Sequence, residues 1–245
     1  MDIIHTPSYE ALSQEVANYI AKQVRSNPNV VLGLATGSTP TGMYKHLLED
    51  HIVNKTSYRN VVTFNLDEYI GMHKLDSNSY YAFMEKHLFQ HIDIQKEKIF
   101  IPDGLAVQLE NECKSYEEKL NTYGPIDIQV LGLGENGHIG FNEPGTPFNS
   151  KTHVVELTDS TRKANARFFP NPVDVPTHAL TMGIDSIMRA KEIILLVAGK
   201  NKAKALEQLV YGVVSESFPA SVLKKHPCVK IYAESTVLEQ SSIIA

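Results

Sequence analysis

Along this chain, short runs of β-branched and apolar residues alternate with longer stretches in which apolar positions recur every third or fourth residue. The short runs Val30–Ala35, Val61–Leu66, Lys98–Ile101, Ile126–Leu133, His153–Leu157, Glu192–Ala198 and Val229–Ala233 read as strands. Between them, Ser8–Arg25, Pro40–Asp50, Asn78–Gln90, Val107–Tyr123, Ser160–Phe168, Gly183–Arg189, Lys202–Val213 and Pro219–Lys225 carry the helical period. NVVLGLA and EIILLVA are apolar at consecutive positions, as strands buried on both faces must be. Strands alternating with helices in this way imply right-handed crossovers and a doubly wound α/β fold: a mostly parallel, Rossmann-like sheet with helices on both faces.

No repeat, low-complexity tract or linker divides the 245 residues, so the expectation is a single domain over 1–245. The proline-dense loop FFPNPVDVP, Phe168–Pro176, is either a long turn or part of a lid around residues 151–185. Lys and Arg number 23 against 28 Asp and Glu, a net charge of −5, and no dense basic block occurs. That balance argues against a nucleic-acid partner. The longest apolar run, Ile193–Ala198, is too short to cross a bilayer, and MDIIHTPSYE has no basic region leading into an apolar segment. Cys113 and Cys228 have no paired spacing. The expectation is a cytoplasmic protein without a membrane partner.

In an open parallel sheet, ligands bind beyond the carboxyl ends of the strands, where the strand order reverses. Four strand ends carry unusual chemistry. After Val31–Ala35 comes Thr36-Gly37-Ser38-Thr39, then Pro40. Thr39 is placed to cap the following helix and Pro40 to open it. A glycine turn bearing hydroxyls suits a phosphate, although an ordinary capped turn has the same composition. No Lys follows a glycine as a nucleotide P-loop requires. At the second end, VVTFNLDEYIG runs straight from an apolar strand into Asp67-Glu68. A carboxylate there is partly desolvated and a better proton acceptor. At most one of two neighbouring acids faces a ligand, and a helix cap or a surface acid is the plainer alternative.

The third end, GLGENGHIGFNEPG, matches G-x-G-x-x-G over Gly132–Gly137. It fails as a dinucleotide loop, because Gly140, Pro144 and Gly145 interrupt any helix and the unit lies deep in the chain. What remains is Asn136, His138 and Glu143 within eight residues. An imidazole with polar partners beside close-approach glycines fits general acid–base work; a histidine satisfying a turn is the plainer alternative. The spacing does not suit a metal. The fourth end adds cations: Arg162, Lys163 and Arg167 in STRKANARFF, and Lys200, Lys202 and Lys204 in GKNKAKALEQL. Cations at a helix start oppose its dipole unless an anion joins them. These features suit a small anionic substrate and proton transfer, and nothing calls for a metal, a nucleotide or another cofactor.

LGLATGSTPTGMY, VVTFNLDEYIG, LGLGENGHIGFNEPG, STRKANARFF and PASVLKKH resemble, in order, the segments of the glucosamine-6-phosphate deaminase family. The 6-phosphogluconolactonases are a sister group that shares the fold and the phosphate loop without the FNLDEY and GHIGFNEPG pair. The resemblance implies conversion of glucosamine 6-phosphate and water to fructose 6-phosphate and ammonia, without an organic cofactor. It implies that His138 assists ring opening with Asn136 and Glu143 orienting it, and that Asp67 moves the C2 proton to C1. Thr36, Gly37, Ser38 and Thr39 with Arg167 and Lys202 would hold the phosphate of a small-molecule sugar phosphate. Two positions depart from some members. Asn136 stands where those members have Asp, so His138 should stay neutral more readily. His153 and Val155 stand where members activated by an acetylated sugar phosphate have basic residues, and the chain stops at Ala245. The expectation is a monomer with hyperbolic kinetics. A lactonase on the same scaffold and a catalytically silent sugar-phosphate sensor are the alternatives; the sensor would adjoin a DNA-binding segment, and none is evident.

Overall fold

The computed structural model describes residues 1–169, 171 and 174–243. Its strands are β1 (Asp2–Thr6), β2 (Val31–Leu34), β3 (Val62–Asn65), β4 (Asp67–Tyr69), β5 (Ile99–Phe100), β6 (Ile128–Gly132), β7 (His153–Glu156), β8 (His178–Thr181), β9 (Glu192–Val197) and β10 (Val229–Glu234). Its α-helices are α1 (Tyr9–Ser26), α2 (Thr41–Asn54), α3 (Tyr80–His87), α4 (Leu109–Tyr123), α5 (Asp159–Asn165), α6 (Ile184–Met188), α7 (Ala203–Tyr211) and α8 (Ser235–Leu238).

Seven strands form one sheet in the order β1-β10-β9-β6-β2-β3-β5, and every pairing is parallel. The expected doubly wound α/β architecture is present. Alternate residues of its inner strands supply the two cores. Val31, Phe64, Leu131, Ile193, Leu195 and Ile231 face α4, α6 and α7. Leu32, Leu34, Val130, Ile194 and Leu196 face α1 and α2, where Val16, Ile20, Tyr44 and Leu47 cover them. This is why these strands read as unbroken apolar runs rather than alternating ones. After β2 the chain adds β3 and β5 on one side; it then returns to place β6 on the other. The strand order therefore reverses between β2 and β6, and the crevice opens beyond their carboxyl ends.

Four differences from the sequence reading appear. The run into Asp67 is not one strand: β3 stops at Asn65, and β4 leaves the main sheet to pair antiparallel with β8, Asp67 opposite Thr181. β7 belongs to this smaller sheet, ordered β4-β8-β7, rather than to the main one. Leu66 stays attached to both sheets, donating to the Leu34 carbonyl and accepting from Met182 N at 2.6 Å. Thr39 does not cap α2; Pro40 occupies the cap position, and the Thr41 hydroxyl donates to the Gly37 carbonyl at 3.0 Å. Pro219–Lys225 is a 3-10 helix rather than an α-helix. The anticipated lid region 151–185 comprises β7, α5, β8 and the start of α6, and residues 170, 172 and 173 of the Phe168–Pro176 loop lie outside the described residues. Among those described, no helix is long and apolar enough to cross a membrane.

Candidate active site

A cavity of about 680 Å³ opens at the switch point. Its walls include Thr36, Gly37, Ser38 and Thr39 after β2, Asp67 on β4, His138 after β6, and Arg167 and Lys202. Segments spread over most of the chain thus converge: Thr36–Thr39, His138 and Lys202 each follow a strand of the parallel sheet, Asp67 lies on β4, and Arg167 follows α5. Asn136 and Glu143 do not line the cavity; they stand behind His138.

The loop after β2 is held from below by two phenols. The Tyr44 hydroxyl donates to the Ala35 carbonyl at 2.5 Å. The Tyr9 hydroxyl, from the first turn of α1, donates toward the Ser38 and Thr39 carbonyls, each at 3.0 Å, and accepts from Gly42 N at 2.9 Å. Gly42 permits this approach, since a Cβ there would lie 2.4 Å from the Ser13 hydroxyl. Gly37 has φ +96°, a conformation that favours glycine, and the space above it is open. Carbonyls turned inward onto Tyr9 leave the loop's amides and hydroxyls for an anion. Arg167 Nη2 reaches the Ser38 hydroxyl at 3.3 Å. Lys202, at the end of a 3-10 turn, is the one lysine of its cluster on the cavity wall; Lys200 and Lys204 are exposed. Burial and the neighbouring Arg167 lower the Lys202 pKa against the opposing pull of Glu135. Two neighbouring cations, one of them partly desolvated, are the arrangement a phosphate dianion relieves.

Asp67 is 6 % exposed, and its carboxylate makes no hydrogen bond among the described residues. Burial first, and the adjacent Glu68 charge second, push its pKa up to about 8. Glu68 points away: it accepts from the backbone N–H groups of Tyr69 at 2.8 Å, and Tyr80 and Tyr81 at 3.0 Å, so it closes the first turn of α3. The two neighbouring acids have divided their tasks as the strand geometry requires, one to the cavity and one to a helix end.

His138 is oriented by a chain of partners. Its Nδ1 lies 2.7 Å from Asn136 Oδ1, and its backbone N–H donates to the same oxygen at 3.2 Å. Asn136 Nδ2 donates to Glu143 Oε2 at 2.8 Å. Glu143 accepts through its other oxygen from the hydroxyls of Thr158, at 3.2 Å, and Thr161. An amide oxygen that receives a backbone N–H and faces Nδ1 makes Nδ1 the protonated nitrogen. Nε2 therefore keeps its lone pair. Burial lowers the His138 pKa, Lys202 adds to that, and Glu143 and Glu135 oppose it, so the ring is neutral at pH 7. Gly134 makes room for the imidazole, while Gly140 stands in ordinary contact with Asp67. A Cβ on Gly134 would sit 2.4 Å from the His138 ring, and one on Gly140 would sit 3.6 Å from Asp67 Oδ2.

Several wall residues carry no mark in the sequence: Tyr69 and Tyr80, Asn165, and Lys86 with His87 at the end of α3. A helical stripe containing Tyr80 looks like ordinary core packing, and only the fold turns it toward the cavity.

Over residues 7–232 the chain matches the family described as glucosamine-6-phosphate isomerases/6-phosphogluconolactonase. The chain belongs to this family. Among its relatives, the glucosamine-6-phosphate deaminase of Oceanobacillus iheyensis is 54% identical over 242 residues, covering 99% of this chain and 97% of the relative. That of Thermoanaerobacter pseudethanolicus is 50% identical, covering 100% of this chain and 95% of the relative. A solved monomeric glucosamine-6-phosphate deaminase superposes with a TM-score of 0.96 at 48% identity, covering 98% of this chain and 100% of that one. The 6-phosphogluconolactonase of Trypanosoma brucei superposes at 0.78 with 19% identity, over 97% of each chain, which is a likeness of fold alone. The family read from the sequence motifs is the family these similarities give.

Proposed function

We propose that this chain is a glucosamine-6-phosphate deaminase, converting glucosamine 6-phosphate and water to fructose 6-phosphate and ammonia in cytoplasmic amino-sugar catabolism. The observation that carries the reading is one cavity lined by a high-pKa carboxylate, an imidazole with a free Nε2, and a hydroxyl loop flanked by two cations. The phosphate sits on Thr36–Thr39 with Arg167 and Lys202, and its binding energy orients the sugar carbons. His138 Nε2 takes the anomeric hydroxyl proton and delivers it to the ring oxygen, which opens the pyranose. Asn136 and Glu143 touch no reacting atom; they hold the tautomer. Asp67 removes the C2 proton and returns it at C1, giving a C2 imine whose hydrolysis releases ammonia. Asp67 in the free enzyme is largely protonated at pH 7, and the ammonium of the substrate beside it favours the carboxylate form.

Relatives that share about half of their residues along the whole chain and carry the deaminase name support this reading over a lactonase. The test is ammonia release from glucosamine 6-phosphate by wild type and Asp67→Asn. A wild type that yields none removes the function; an undiminished variant removes the mechanism. We also propose a monomer with hyperbolic kinetics, in keeping with the monomeric deaminase it superposes on. A sigmoidal rate curve that an acetylated sugar phosphate renders hyperbolic would contradict it.

A further inference from the structure

The loops after β6 and β9 carry two wall residues of the cavity, His138 on one and Lys202 on the other. Their strands are neighbours in the sheet and pair as far as Gly132 and Leu196. Beyond that pair the ladder no longer fixes the distance between the two loops. A side-chain contact does: Asn201 Nδ2 donates to Glu135 Oε1 at 2.5 Å. Glu135 stands three residues before His138, and Asn201 directly precedes Lys202. Among the described residues, no other hydrogen bond joins 134–138 to 199–202.

The turn that ends at Lys202 is held from its other side as well. β10 flanks β9 opposite to β6, and Glu234 at its end accepts the Gly199 N–H at 3.0 Å. The Lys202 N–H closes the turn on the Gly199 carbonyl at 2.9 Å. Gly199 has φ +93°, and a Cβ there would stand 2.9 Å from Asn201 Oδ1. Glycine at this point lets the Asn201 amide fold back over its own turn while its nitrogen faces Glu135. A carboxylate only accepts, so the nitrogen is the end of the amide that must meet it. Two carboxylates, one from each neighbouring strand end, thus grip a turn that delivers one lysine to the cavity.

Glu135 and Asn201 are exposed, and neither lines the cavity. A hydrogen bond at the surface adds little to folding, but it can remove the cost of ordering a loop when a ligand binds. We propose that Glu135 and Asn201 are positioning residues: a clasp that ties the loop of Lys202 to the loop of His138 and so holds the lysine ready for a phosphate. This deepens the proposed function by naming what positions Lys202, and it rests on that reading for the seat of the phosphate.

The Glu135 charge acts on the same site in two opposed ways. It repels a phosphate, yet it favours the protonated form of Lys202. Glu135→Gln and Glu135→Met remove that charge equally at nearly the same side-chain length, and only the Gln variant can still accept from Asn201. Inorganic phosphate is the probe, titrated by calorimetry into wild type, into these two variants, and into each of them combined with Asn201→Ala. Both positions are exposed, so the substitutions leave the core untouched.

Glu135→Met should bind phosphate about two- to fivefold more weakly than Glu135→Gln, the scale of one neutral hydrogen bond. Beside Asn201→Ala the two should bind alike, because the partner that tells them apart is gone. Equal affinity of the two single variants, or a gap that persists beside Asn201→Ala, overturns the clasp. So does a wild type that binds no phosphate. Ammonia release from glucosamine 6-phosphate is measured separately. If wild type releases none while the affinity cycle holds, the proposed function falls and the clasp stands.

Discussion

Asn136 Oδ1 accepts from both the backbone N–H and the ring Nδ1 of His138, at 3.2 and 2.7 Å, while its amide nitrogen is committed to Glu143. A neutral side chain thus fixes the imidazole tautomer without stabilising a charge on it. Asn136→Asp places a carboxylate against Nδ1 and next to Glu143. The added charge raises the His138 pKa, so the ring stays cationic to higher pH and the acidic limb of the kcat/KM profile moves upward. Rates at pH 6 should therefore fall more than rates at pH 9. Superimposable profiles for variant and wild type would exclude the arrangement.

Asp67 makes two linked predictions. With its pKa at about 8, kcat/KM should fall about tenfold per pH unit once the free enzyme is well below that value, because the base must be unprotonated. The folded pKa also lies above the unfolded value of about 3.9, so folding favours the protonated form. Asp67 then contributes no penalty near pH 4, a growing one as pH rises toward 8, and its full cost above that. Asp67→Asn should lower kcat by at least about a hundredfold and raise Tm by a few degrees at pH 9, with little gain at pH 4. Melting curves at the two pH values decide it; an equal gain at both contradicts the desolvation account.

Glu68, one residue along, should behave oppositely. Its carboxylate satisfies three backbone N–H groups at the start of α3. Glu68→Ala leaves these donors in a largely closed environment and should cost about 2–3 kcal/mol, read as a lower urea midpoint. An unchanged midpoint would mean that water replaces the carboxylate without loss.

Tyr9→Phe removes the hydroxyl that holds the Ser38 and Thr39 carbonyls and receives Gly42 N–H. With the loop less constrained, KM for the sugar phosphate should rise about three- to tenfold at nearly constant kcat. A drop in kcat with KM unchanged would place the hydroxyl's effect on the chemistry instead.

The parallel sheet and its four functional ends were legible because each inner strand buries both faces and stops at a run of polar residues and glycine. β1, β4 and β8 were not, although the partly exposed β5 and β7 were. β1 is a partly exposed edge strand, and DIIHT carries too short a pattern to register. β4 is only DEY, and its strand character comes from Thr181, Leu180 and Ala179 across from it. The His138 loop and Asp67 could be read from their own neighbours in sequence. Tyr80 and Asn165 could not, since what gives them a place is Tyr69, 11 residues from one and 96 from the other.

Three separate threads end on the seven-residue helix α5 and the turn that follows it. Thr158 and Thr161 at its start hold Glu143, Asn165 at its end holds Tyr69, and Arg167 just beyond reaches Ser38. Recognition of the anionic tail and alignment of the imidazole therefore share one mechanical support. A sugar lacking that tail would leave the support ungripped on one side. Such a molecule would be rejected through slow turnover at saturation as well as through weak binding, making substrate choice a property of rate and not of affinity alone.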